Sequence, residues 1–109
     1  MQIGGIILLN KNNADGLSIF SEIRVHPRIA RKHPEISNQD VEAVIRSPIA
    51  MRRRNFELPS HFVLAGVDTR GRLLQVVGAL QEDGTFLAYH SLKLTRAVAV
   101  ELELWDGGN

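Results

Sequence analysis

Along this chain the spacing of apolar positions changes more than once, and each change marks an element. Residues 2–9 are rich in Ile and Leu and predict a strand, followed by a polar loop at 11–16, KNNADG. Residues 18–25 alternate loosely, with Ile19, Ile23 and Val25 as the apolar members of a second strand. Pro27 suits the first turn of a short helix, where its missing N–H has no partner to lose, and Pro34 ends that helix. Arg28, Arg31 and Lys32 give it a basic face, leaving Ile29 and Ala30 to pack. Ser37 opens a second helix. Ser-Asn-Gln-Asp fits the capping-box pattern, and Asp40 also sits well for the helix dipole. Val41, Val44 and Ile45 then share one face, and Pro48 stops the helix.

After Pro48 the period shortens to two. HFVLAGVD and RLLQVVGAL flank Thr69-Arg70-Gly71, a hairpin turn with glycine where a left-handed residue is wanted. Glu82-Asp83-Gly84 makes a second such turn before TFLAYHSL. Three antiparallel strands are expected. Apolar residues on both of their faces imply cover by helices on at least one side. Towards the end Leu94, Val98, Leu102 and Trp105 share a helical face, while Val98, Val100, Leu102 and Leu104 alternate as in a strand. Periodicity leaves both open; Thr95 and the alanines favour a helix that packs back on the sheet. Residues 107–109 should fray. The expected class is α+β: a small antiparallel meander with two N-terminal helices and a C-terminal helix. The 109 residues make one domain, with 24–105 as its core and 1–20 as an extension or extra strand.

Charge changes the picture more than composition does. The formal net charge is only +1, yet residues 24–72 hold ten Arg or Lys against five Asp or Glu, and residues 82–106 hold two against five. A basic half and an acidic end suggest a polyanion-binding face and a surface for another protein, the plain alternative being a solvated, arginine-rich surface. The chain has no cysteine, which excludes disulfides, thiolate zinc sites and thiol nucleophiles. No apolar run approaches a bilayer span, and the start lacks the basic lead and small-residue cleavage site of a signal peptide. A cytoplasmic protein without membrane attachment is expected. No P-loop, GxGxxG, GxSxG or HExxH is present.

The order HPRIARKH-PEIS-xx-DV, a hairpin around DTRGRLLQVV, then FLAYHSLKLTRAVAVEL resembles the BrnT-like proteins of the broad RelE/ParE toxin superfamily, over residues 24–104. These are bacterial toxins of type II toxin–antitoxin pairs, many of which cleave RNA. The resemblance implies a curved antiparallel sheet with helices on one side, an mRNA substrate that is free or ribosome-bound, and an antitoxin partner that masks the basic face. A homodimer is a further option. The alternative is a non-catalytic RNA- or DNA-binding or protein-interaction module with the same fold.

Metal-independent RNA cleavage needs a base for the attacking 2′-OH, cations for the charged transition state and an acid for the leaving 5′ oxygen. His90, at the end of the last expected strand, is the first candidate, with the alternative that it closes the strand on a backbone hydrogen bond. Lys93 and Arg96 follow closely, and a regular meander would bring Arg72 towards the same end of the sheet. Arg52 and Arg54 should project from one face of a strand and Arg53 from the other. These three, with Arg28, Arg31 and Lys32, are the expected phosphate-positioning residues, unless the run is a solvated edge. His26 and His33 suit the start and end of the first helix; their spacing matches no metal motif, and no cofactor is expected. His61 carries no assigned role. Tyr89 suits a core position better than a base-stacking one.

Overall fold

The computed structural model describes residues 6–8 (backbone only), 20–54 and 60–107. The expected loop at 11–16, residues 18 and 19 of the second strand, and the fraying end at 108–109 lie outside them. Among the described residues six strands and three helices follow in the order β1 (Ile6–Leu8), β2 (Glu22–Val25), α1 (Arg28–Lys32), α2 (Asn38–Arg46), β3 (Ala50–Arg53), β4 (His61–Val67), β5 (Leu73–Leu80), β6 (Thr85–Lys93) and α3 (Arg96–Glu101).

The strands form one sheet in the order β1-β3-β4-β5-β6-β2. The meander β4–β5–β6 is antiparallel as expected, with Gly71 and Gly84 at φ 81 and 89 in its two turns. The sheet as a whole is mixed, which corrects the all-antiparallel expectation. β2 lies along the outer edge of β6 and parallel to it, Glu22 opposite Thr85 and Val25 opposite Ala88. Alternation along a strand reports which face is buried; it says nothing about the direction of the neighbour.

The helices also divide differently from the one-sided arrangement the resemblance implies. Alternate residues of β3 to β6 feed two cores, one on each face. Met51, Leu64, Val76 and Phe86 pack with Ile29 of α1 and with Val41, Val44 and Ile45 of α2. On the opposite face Ala50, Val63, Ala65 and Val77 pack with Val98 and Leu102, so α3 covers that side.

Local signals explain each helix. At α2 both halves of the capping box are made: the Ser37 hydroxyl accepts from the Asp40 N–H, and the Asp40 carboxylate accepts from the Ser37 N–H. Thr95 caps α3 by accepting from the Val98 N–H. The buried Gln75 side chain of β5 accepts from both the N–H and the hydroxyl of Thr95, at 2.8 and 2.9 Å, and ties that cap to the sheet. α3 is shorter than the apolar pattern suggests, since Glu103 already has φ 55.

Candidate functional site: a cationic cleft at the edge of β6

Val25 is the last residue of β2 to lie beside β6, and the His26 N–H closes the pairing on the Ala88 carbonyl at 2.8 Å. The chain then turns through Pro27 into α1, which packs against β6 beyond the end of β2. His26 starts this helix as expected, its Nδ1 accepting from the Arg28 N–H at 3.0 Å. Ile29 is buried in the core, while Arg28 and Lys32, one helical turn apart, face the cleft between α1 and the sheet.

At the same level β6 carries a bulge. Val77 pairs with His90 but Gly78 pairs with Ala88, so Tyr89 is the extra residue. In a regular strand Tyr89 and His90 would point to opposite faces; here both line the cleft. The cleft encloses about 310 Å³. Arg28, Lys32 and His33 line it from α1 and its end, Arg54 from the end of β3, and Tyr89, His90 and Ser91 from β6. Among the described residues, none that lines it is acidic. Desolvation holds the His90 pKa below its usual value, and the positive charges of His33, Arg54, Lys32 and Arg28 add to that shift.

The walls are held from behind. The Arg54 guanidinium pairs with Glu101 of α3 at 3.0 Å, and the Arg54 backbone N–H donates to the His61 carbonyl at 2.9 Å. The Arg28 guanidinium lies 5.9 Å from the centre of the Tyr89 ring, and the His61 ring meets Tyr89 edge-on at 6.0 Å. Nδ1 of His61 is buried without a hydrogen-bond partner among the described residues.

Of the four candidate catalytic residues only His90 lines this cleft. Arg72 does lie at the end of the sheet where β6 finishes, Leu74 pairing with Lys93, but His90 sits inside β6 and not at its end, which corrects the expected closeness of the two. Arg72 precedes β5, five positions from Val77, which places it about 17 Å along the strand from the His90 pair. It donates instead to Asp68 at 2.6 Å and to Asp40 at 3.1 Å, joined there by Arg70 and Thr69, and this network pins the start of α2 to the β4–β5 turn. Burial pushes the Asp40 carboxyl up, but hydrogen bonds from Thr69, Ser37 and Arg70 outweigh it and hold its pKa well below the carboxylate range. Asp68 behaves alike: burial raises its pKa, and the bonds from Arg72 and Arg70 bring it below the usual value. Lys93 is exposed outside the cleft, and Arg96 stacks over Trp105 at 4.8 Å.

Of the expected phosphate-positioning residues, Arg28, Lys32 and Arg54 line the cleft. Arg52 turns the same way as Arg54, donating to the Glu101 carbonyl at the end of α3, while Arg53 and Arg31 are exposed elsewhere. Sequence reasoning left His33 as a helix end and Tyr89 as a core residue; the cleft gathers both. The adjacent pair Tyr89-His90 opposite Gly78 is the available signal, because a glycine within a strand often marks a bulge. No family model, curated protein or solved structure matches the chain.

Proposed function

We propose that this protein is an endoribonuclease of the type II toxin kind, which cleaves mRNA in the cationic cleft without a metal ion. The observation that carries the reading is the placing of a neutral-leaning imidazole, His90, among Arg28, Lys32 and Arg54, with no carboxylate among the described residues that line the cleft. In this reading His90 takes the proton from a 2′-OH, and the oxygen attacks the adjacent phosphorus. The three fixed cations stabilise the extra negative charge that develops on the phosphoryl oxygens. His33 is the second imidazole of the cleft, and in its protonated form it returns a proton to the departing 5′ oxygen. Tyr89 offers a ring on which a base stacks once Arg28 moves to a phosphate.

The test is induced expression in a bacterial host, wild type beside His90→Ala, following growth and total RNA. Growth arrest with RNA breakdown, absent in the variant at equal soluble level, is the expected result. One observation favours a second reading, a nucleic-acid-binding module without catalysis: among the described residues no side chain hydrogen-bonds the His90 imidazole to orient it. Intact RNA in the cell, with salt-sensitive binding that weakens in Arg54→Ala and Lys32→Ala, would decide for that reading.

A further inference from the structure

Three fixed positive charges and two imidazoles share one small cleft, and that arrangement has a property separate from any cleavage step. Arg28 and Lys32 come from α1, Arg54 from the end of β3, His33 from the end of α1 and His90 from β6. Among the described residues, two carboxylates pair with these groups without lining the cleft: Glu101 pairs with Arg54, and Glu35 stands 3.6 Å from His33. Tyr89 lines the cleft as a neutral ring, with His61 of β4 behind it. An unfilled cleft therefore opposes a proton on His90, and an anion seated among the same cations removes that opposition.

We infer that the cleft is a binding site for a phosphate-class dianion, the terminal phosphomonoester of a nucleotide strand in preference to the singly charged diester, and that filling it drives a proton from solvent onto His90. The inference rests on the same cleft being the functional site, but not on any cleavage there. Linkage makes it reciprocal: the factor by which the dianion favours protonated His90 is the factor by which protonation tightens the dianion. A strand end bearing a phosphomonoester would hold His90 in its acid form and so inhibit a reaction that needs the base.

The experiment follows the ring-proton resonances of His90 and His26 through a pH titration of the intact protein. It compares sodium chloride, sodium sulfate and sodium dimethyl phosphate at matched ionic strength. Sulfate stays doubly charged over the whole range and is the clean probe. The expected result is a His90 midpoint about one pH unit higher in sulfate than in chloride, a tenfold linkage. The rise should be smaller in dimethyl phosphate, and His26, outside the cleft, should titrate alike in all three. With Lys32→Ala and Arg54→Ala together the sulfate response should vanish, while the midpoint in chloride rises because two repelling charges have gone. A His90 midpoint that is the same in sulfate and chloride overturns the site, and equal responses to sulfate and dimethyl phosphate overturn the preference for a dianion. A sulfate response in a protein that leaves RNA intact keeps the anion site and removes the ribonuclease. RNA cleavage without a sulfate response does the reverse.

Discussion

At Gly78 a missing side chain makes room for the close approach of β6 to β5 beside the bulge. A Cβ there would lie 2.5 Å from the Leu87 carbonyl oxygen and equally close to the Phe86 ring, both parts of the strand it must pair with. Gly78→Ala should therefore cost about 1–3 kcal/mol, the usual range for overpacking, read as a lower urea midpoint. It should also move the His90 resonance, because the bulge sets that ring's direction. Asp40 is the other decisive residue, fully buried and bonded to Ser37, Thr69, Arg70 and Arg72. The pKa values of Asp40 and Asp68 are depressed in the folded chain, so their stabilisation is complete above the unfolded value of about 4 and is lost as pH falls through the folded values. Thermal melts should show stability declining from about pH 4 downwards. Asp40→Asn should flatten that decline while lowering stability at neutral pH.

Among the elements, those written in short-range chemistry were legible from the chain. Ser37 with Asp40, Thr95 before its alanines, and Gly71 and Gly84 in their turns each act within a few residues, and each does in the structure what its type implies. Ser37→Ala should lower stability by about 1 kcal/mol, measured by chemical denaturation, because the Asp40 N–H would lose its hydroxyl acceptor while the bond from the residue 37 N–H to the Asp40 carboxylate remains. The partner of β2 was not legible, since nothing in Glu22–Val25 encodes a parallel neighbour far along the chain. Nor was the placing of α3 opposite α1 and α2: apolar residues on both strand faces imply two covers without saying which helix supplies which. For Arg72 a local signal did exist. Asp68 stands four residues before it across a tight turn, and that carboxylate is where its guanidinium goes.

For the molecule as a whole, the uneven charge read from the sequence resolves into a cleft and its counterweight. Arg54 meets the acidic end of the chain through Glu101, so the two halves are partly neutralised where they touch. Glu101→Gln should release Arg54 and raise affinity for single-stranded RNA up to about fivefold, the scale of an exposed ion pair. Titrations at several salt concentrations should show a steeper salt dependence than wild type. The cleft also fixes the sign of a pH profile. With the His90 pKa below its usual value, the base form persists further into acid than an ordinary histidine allows. The acid limb of kcat/KM for RNA cleavage, which reports the free protein, should therefore fall below pH about 6.5. Candidate residues were legible as types; their gathering was not, because α1, β3 and β6 meet only through long-range pairing.

The parallel pairing of β2 with β6 has a consequence for how the molecule comes into being. Glu22 leaves the ribosome more than sixty residues before Thr85, the partner it must find. During that interval α2, β3, β4 and β5 can assemble around local turns, while β2 and α1 wait without an edge to dock on. The cleft closes late, since two of its walls, α1 and β6, join only when β6 arrives. A nascent chain stalled before Thr85 should therefore leave β2 and α1 open to protease while the β4–β5 hairpin resists. Whatever the cleft does to a strand threaded past it, the growing chain is unable to do until β6 has been made and has paired.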